Sequence, residues 1–379
     1  MIAVYSNNRN MDLLIHGCDF DVPFVVHHDL DAFEQDTSKI KFAFVLSVNG
    51  YQQPESQEQW HEWITHGNKF SEEIQTAKKF STKVFAFDNE FHEYHWSILH
   101  ANQDENVYWF LPVSVNHAMP RLFTWFVQFH DMKMKYLYQP LSPVLSRLRP
   151  FAQKPFVFDA LLGEIRPHRT FIYDRIRGDH QVEPKILLNY HSLQHDRSKP
   201  ITDKLLLEPE VQKETVHALW TEVDYMGYRL AVSRIVPISI YNQCAYSIVA
   251  ETHHSNRMSF YTEKILRPIL ARRLFVVFSG VHFLRNLKTL GFKTFDAVID
   301  ESYDEIQDPI TRWAAAFEQV RRLCVLDQAQ VYAEIRHIVD HNFGVLMDTS
   351  WDSEMSTVKN LCISALSDHI STHGMPVTS

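Results

Sequence analysis

The chain has 379 residues, 45% of them hydrophobic, 13% aromatic and 22% charged, with a formal net charge of −9. That length suits about two domains, and the apolar mass excludes the disordered and low-complexity classes. Only 10 residues are glycine against 22 histidines, and no two glycines lie closer than eleven positions, so neither a GxGxxG turn nor a Walker A loop exists here. Taken in chain order, short β-type runs at Ile2–Tyr5, Phe24–His27, Phe42–Val48, Lys83–Phe87 and Val107–Leu111 alternate with helical or polar stretches. Between two of them, 58–79 carries Trp60, Trp63, Ile64, Phe70 and Ile74 at helical spacing. Strands separated by helices predict a parallel, doubly wound sheet. The aromatic run 122–129 (Phe123, Trp125, Phe126, Phe129) reads as a helix buried in the core.

A boundary follows. Residues 139–150 carry Pro140, Pro143 and Pro150 and read as a linker. A second alternating series then begins: a strand over 154–162, a helix over 170–177 and strands at 185–190 and 245–250. Next come a helix over 263–270, strands at 274–278 and 295–299, and amphipathic helices over 312–325 and 329–339. The predicted class is α/β, with two Rossmann-like doubly wound domains facing across a cleft. Residues 1–140 form one domain, 141–153 the linker, 154–345 the second domain and 346–379 a C-terminal helical segment. Two such units make the interdomain cleft the expected ligand site.

Cys18, Cys244, Cys324 and Cys362 are scattered, with no CxxC pair, and read as buried or free thiols of a reducing compartment. The start has no basic region followed by an apolar one, and no long uncharged apolar run occurs, so neither a signal peptide nor a membrane span is expected and a cytoplasmic location is. The acidic balance argues against a wholly basic nucleic-acid-binding surface, although a local basic groove around Lys133, Lys135, Arg147 and Arg149 stays open.

The stretch 250–280 is densest in chemistry: a strand ending at Glu251, a polar loop with Arg257, then Tyr261-Thr262-Glu263-Lys264 opening a helix, and a strand closing at Gly280. In open α/β sheets ligands bind beyond the carboxyl ends of strands. A carboxylate there accepts the two hydroxyls of a ribose or sugar, and Arg257 and Lys264 neutralise a diphosphate leaving group. The bland alternative is that Glu263 and Lys264 are a solvated helix start. Upstream, Gly163 turns the chain into a basic loop with Arg166, His168 and Arg169 at a helix start, where side-chain cations and free N–H groups suit phosphate. The alternative is a surface loop paired with Glu164 or Asp174.

These residues resemble the donor-domain signature of the GT-B glycosyltransferases. The closest motif is that of the α1,3-fucosyltransferases, in which a Thr-Glu-Lys segment engages the nucleotide sugar. The stretches 292–296 (Phe-Lys-Thr-Phe-Asp) and 299–304 (Ile-Asp-Glu-Ser-Tyr-Asp) are similar to uncharacterised glycosyltransferases of phages and marine microbes. The similarity spans about residues 154–320. It implies a metal-independent transfer of a sugar from a nucleotide-diphosphate donor to an acceptor hydroxyl, with no cofactor beyond that co-substrate. Donor contacts fall on Arg166, His168, Arg169, Glu251, Arg257, Tyr261, Thr262, Glu263 and Lys264, with Gly163 and Gly280 as the critical turns.

The amino-terminal domain then binds a carbohydrate or other hydroxyl acceptor. Its stretch 87–96 is rich in titratable groups after a strand, and Asp88, Glu90, His92 and His95 are candidate general bases, with Asp88 and Glu90 preferred. His16 and Asp29 are weaker candidates. Three other readings stand beside this one. A phage-type transferase acting on hydroxymethylated DNA bases shares the fold and needs a basic groove. A GT-A enzyme would hold Mn²⁺ on a DxD triplet, Asp19–Asp21 or Asp29–Asp31. A degenerate, non-catalytic carbohydrate-binding or scaffold protein is the third. His92 and His95 form HExH, one residue short of HExxH, so no zinc site is expected.

Overall fold

A computed structural model describes residues 1–18, 20, 22–47, 57–88, 95–116, 119–138, 141–149, 151, 153–163, 165–190, 211–212 and 222–373. In chain order the elements are β1 (Ile2–Ser6), α1 (Asp12–Gly17), β2 (Phe24–His27), α2 (Leu30–Gln35), β3 (Ile40–Leu46), α3 (Gln57–Phe80), β4 (Lys83–Phe87), α4 (His95–Ala101), β5 (Val107–Leu111), β6 (Val113–Val115), β7 (Leu122–Thr124) and α5 (Val127–Lys133). There follow α6 (Ser142–Leu145), β8 (Phe156–Leu161), α7 (Pro167–Arg177), β9 (Ile186–Asn189), β10 (Val211–Gln212), β11 (Glu222–Tyr225), β12 (Tyr228–Ala231), α8 (Ile238–Tyr241), β13 (Cys244–Ala250) and β14 (Met258–Phe260). The last are α9 (Glu263–Leu270), β15 (Leu274–Phe278), α10 (Phe283–Thr289), α11 (Pro309–Leu323), α12 (Gln328–Asp348) and α13 (Ser353–His373). Contacts divide the chain into two compact units. The first comprises Met1–Val113, Ala118–Val127 and Ser350–Ser379; the second comprises Ser114–His117 and Gln128–Thr349.

The first unit is built on a six-stranded sheet in the order β2-β1-β3-β4-β5-β7, with every pairing parallel. Its four central strands are buried on both faces, as a parallel sheet covered by helices requires, and the edge strands β2 and β7 are half-buried. Alternation assigns the faces: Phe42, Phe44, Phe85, Phe87 and Phe110 join one cluster with Val358, Cys362 and Ala365 of α13. On α3, Phe70 and Ile74 are buried as their spacing predicts, and Phe70 meets Trp109 edge-on at 6.1 Å. Trp60, Trp63 and Ile64 lie on the same helix, but their side chains fall outside the described residues.

The second unit carries a four-stranded sheet in the order β15-β13-β8-β9, again all parallel. β10, β11 and β12 form a separate antiparallel meander, turned at Met226 and Gly227, both at positive φ, as a two-residue hairpin loop requires. Helix starts are capped by side chains: Thr262 on α9, Asp308 on α11 and Asp327 on α12. The α/β class with parallel sheets is therefore as the sequence predicts. Among the described residues no helix is long and apolar enough to cross a membrane.

Two predicted elements are corrected. Residues 122–129 are not one helix: Leu122–Thr124 form edge strand β7, stacking Phe123 on Phe110 at 5.2 Å, and α5 starts at Val127. A short aromatic run packs equally well in either geometry, so its periodicity does not discriminate. Residues 295–299 are a turn instead of a strand. Glu301 accepts from the Phe295 N–H at 2.7 Å, while the N–H groups of Val298 and Ile299 return to the Phe295 carbonyl. The 139–150 stretch read as linker also contains the short helix α6.

Candidate functional site

In the second unit, the chain leaves β8 toward β9 on one side and later toward β13 and β15 on the other. The winding therefore reverses between β8 and β13. In open α/β sheets the region beyond the carboxyl ends of strands at such a point is the usual ligand position. Residues 162–166 follow β8 and residues 251–257 follow β13.

The basic loop is fastened across this point. Arg166, extended at the start of α7, donates from Nη1 to the Thr252 carbonyl at 2.7 Å. His168 is fully buried, and its Nε2–H donates to the Glu251 carbonyl at 2.7 Å. Burial, reinforced by the neighbouring Arg169 charge, pushes His168 well below the usual histidine range, so the ring is neutral with its proton on Nε2. Arg169 is also buried and donates to the carbonyls of Ala250 and Glu251 at 3.4 and 3.3 Å. Gly163 holds φ at +56° beside the Arg169 guanidinium, a backbone that side chains other than glycine rarely adopt.

The acidic side is equally committed. Glu251 is fully buried. Its Oε2 accepts from the Thr262 hydroxyl at 2.6 Å and the Thr252 N–H at 3.2 Å, and its Oε1 accepts from the Ile265 N–H at 3.2 Å. It thus serves the N-terminus of α9 together with Thr262, whose hydroxyl accepts from the Lys264 N–H at 3.2 Å. Burial raises the Glu251 carboxyl against the pull of Lys264 and Thr262. For Glu263 burial also pushes upward, but Lys264 and Arg267 outweigh it and hold the carboxyl at about 2. Lys264, whose side chain is 24% exposed, donates from Nζ to Glu263 at 2.7 Å and to the Thr252 hydroxyl at 3.0 Å.

Of the residues predicted for donor binding, Arg166, His168, Arg169, Glu251, Thr262, Glu263 and Lys264 are thus tied into one connected set. Two are engaged elsewhere. Tyr261 is buried against Phe129 and Phe283. Arg257 is exposed, on a loop whose backbone accepts from the Asn116 N–H at 3.0 Å. Asp88, in the first unit, follows β4 and is 1% exposed, its N–H donating to the Phe110 carbonyl. Glu90, His92, Asp19 and Asp21 lie outside the described residues, as does the side chain of His95. Asp29 is exposed and caps α2 by accepting from the Ala32 N–H. Among the described residues no group of three or more His, Cys, Asp or Glu side chains is placed to hold a metal ion.

Sequence reasoning missed the brace behind this loop. The Arg312 Nε–H and Trp313 indole N–H both donate to the Ser279 carbonyl, at 3.1 and 3.4 Å, and the Ser279 hydroxyl donates to the His253 carbonyl at 3.0 Å. His254 lies 5.0 Å from the His168 ring and edge-on to Trp313 at 5.3 Å. Gly280 passes so close to the Ser255 and Met258 carbonyls that a Cβ there would overlap the Ser255 oxygen. The Asp308-Pro309 helix start was the available signal for α11, and Arg312 and Trp313 sit on its first turn.

The members of this set that reach the surface in part are Arg166 and Lys264, and the start of α7 has no side-chain cap. That set suits an anion beside a hydroxyl-bearing group. No protein-family model, characterised protein or solved structure matches the chain.

Proposed function

We propose that the chain is a glycosyltransferase of the GT-B type, moving a sugar from a nucleotide-diphosphate donor to an acceptor hydroxyl. One observation carries this reading: a basic loop and a carboxylate-bearing loop, joined from Arg166 to the Thr252 carbonyl 86 positions on, meet where the winding of the second sheet reverses. The diphosphate would lie against Arg166, Lys264 and the first turn of α7, and a ribose or sugar hydroxyl against Glu263. The acceptor oxygen attacks the anomeric carbon as the bond to the diphosphate breaks. Its proton passes to a general base, for which Asp88 and Glu90 are the candidates from the sequence, and the cations stabilise the charge on the departing diphosphate.

The test is a thermal-shift and calorimetric screen against UDP, GDP, CMP and TDP sugars. Specific binding raises the melting temperature by mass action. Lys264→Ala is expected to weaken that binding at least tenfold and, because Lys264 neutralises the buried Glu263 carboxylate, to lower the ligand-free melting temperature as well, so binding is compared at a temperature where the variant is folded. If none of the nucleotide sugars stabilises the protein, this reading fails.

A further inference from the structure

At the amino edge of the second unit's sheet, three segments of the chain are tied to one turn. Tyr241 ends α8, and Asn242 and Gln243 lead from it into β13. The Tyr241 carbonyl accepts from Arg273 Nη2 at 2.9 Å, and the Asn242 Oδ1 accepts from the Arg149 N–H at 2.7 Å. The Gln243 carbonyl accepts from the Phe156 N–H at 3.0 Å, two positions after Lys154. Strand order has the same consequence: Arg273 immediately precedes β15 and Lys154 stands just before β8, and these two strands flank β13. Lys154 and Arg273 therefore stand on either side of the start of β13, with Arg149 fastened beside it.

Three cations at one turn leave a charge that the fold does not balance. Lys154 is 6% exposed and Arg273 4%, and lysine is rarely buried to that degree without a partner. The Gln328 side chain holds both backbone groups of Lys154, at 2.7 and 3.1 Å, so the residue is fixed in place. Among the described residues nothing hydrogen-bonds or ion-pairs with its ammonium, which, unlike the Arg273 Nε, is not sealed from solvent. Arg149 is exposed and opens the cluster to the surface. Burial and the charges of Arg273 and Arg149 together push Lys154 below the usual lysine range. The acids within reach are committed. Asp159, which faces Arg273, accepts from the Ser247 hydroxyl, and burial lifts its carboxyl to about 7. Asp327, next to Gln328, caps α12 by accepting from the Gln330 N–H.

This chemistry selects the ligand. A neutral molecule would leave the repulsion in place and a cation would add to it; an anion removes it. Lysine offers three rotatable donors and arginine a planar fork, the combination that phosphate oxygens accept best. A phosphate group also carries close to two negative charges at neutral pH, more than a carboxylate brings. We propose that Lys154, Arg149 and Arg273 form an anion site for a phosphate group, free or carried by a small metabolite. It lies at the opposite edge of the sheet from the diphosphate position proposed above and does not rest on that reading.

The experiment titrates the whole protein with inorganic phosphate and, separately, with glucose 6-phosphate in a calorimeter, against sodium chloride at equal ionic strength; the tighter of the two phosphates tells which source the site takes. Saturable binding of phosphate and none of chloride is expected. Lys154→Met should weaken it about tenfold and melt no lower than the parent in phosphate-free buffer, because the variant loses an unbalanced buried charge. Arg149→Gln changes an exposed side chain and keeps the backbone bond to Asn242, so it folds whatever Lys154→Met does, and it should weaken phosphate about fivefold. Equal heats from chloride, or phosphate affinity unchanged in Arg149→Gln, overturn the proposal. Phosphate binding lost in Lys264→Ala but kept in Arg149→Gln overturns it too, since the anion would then occupy the donor position. Nucleotide-sugar binding is read in parallel and stays unchanged in Arg149→Gln, so failure here and failure of the donor reading are distinguishable.

Discussion

At the carboxyl edge of the second unit's sheet, Glu251 is completely buried and meets three donors. At the amino edge of the first unit's sheet, the Trp109 indole N–H is buried and meets no acceptor. The first edge is a largely closed network: its buried charges close on backbone groups or an opposite charge, and the His168 Nδ1 atom is buried there without a partner. The second leaves a buried donor without an acceptor. Burial alone therefore says little about function; the roll of partners around a buried polar group says more.

The comparison breaks most severely at Gly280. A side chain there would drive into the Ser255 carbonyl, which is backbone and cannot rotate away. Gly280→Val is expected to cost upwards of roughly 4 kcal/mol, measured as urea unfolding free energy or as failure to fold, because the loop after β13 must move as a whole. Gly163→Ala, strained in φ alone, is expected to cost about 1 kcal/mol.

A sharper contrast lies inside the second unit. Asp159, midway along β8, is as buried as Glu251 but accepts from one side chain, the Ser247 hydroxyl at 2.7 Å. Burial lifts its carboxyl from 3.8 to about 7, with Ser247 and Arg273 pulling the other way. The folded chain therefore keeps this proton while the unfolded chain has already released it. The contribution of Asp159 is full below about pH 4 and is lost as the pH rises toward 7. Asp159→Asn keeps the shape and removes that slope. Its stability relative to the parent should improve between pH 5 and pH 8 by roughly 2 kcal/mol, read from urea unfolding at the two values. An unchanged difference would mean that the carboxyl ionises freely in the folded state.

How much of this was legible beforehand follows from the range of the interactions. The bounds of α9 and β15 came directly from local pattern, and Thr262 carries the ordinary signature of a helix cap. Glu251 could be placed at a strand end, but its capping of α9 depends on an N–H 14 positions away, brought in only by the turn between β13 and α9. His168 and Arg169 were visible as a basic loop; the carbonyls they hold, more than 80 positions distant, are a property of strand order. Residues 122–129 were misread because a short aromatic run has no distinguishing period. The turn before β7, with Arg121 at positive φ, left one faint trace, a Pro-Arg pair where a turn of that kind wants Pro-Gly.

A smaller effect tests whether the closed network is as tightly held as its contacts imply. Thr262→Ala removes both the cap of α9 and a donor to Glu251, and should cost about 1–2 kcal/mol, while Thr262→Ser, which keeps the hydroxyl, should recover most of it. Equal stability of the two variants would show that the Glu251 carboxylate caps α9 unaided.

The smallest effect runs the other way. Arg121 holds a left-handed backbone in the ligand-free chain, at φ +58°. Arg121→Gly removes the clash of its Cβ but increases the freedom of the unfolded chain, so the two changes partly cancel. A net gain of about 0.5–1 kcal/mol is expected in the midpoint of urea unfolding at unchanged slope. A loss of stability would mean that the guanidinium, through its attraction to Asp104, is worth more to the folded state than the strain it imposes. Arginine at this turn would then be explained by the fold. A gain would show that the strain at this turn outweighs whatever the guanidinium contributes to the folded chain.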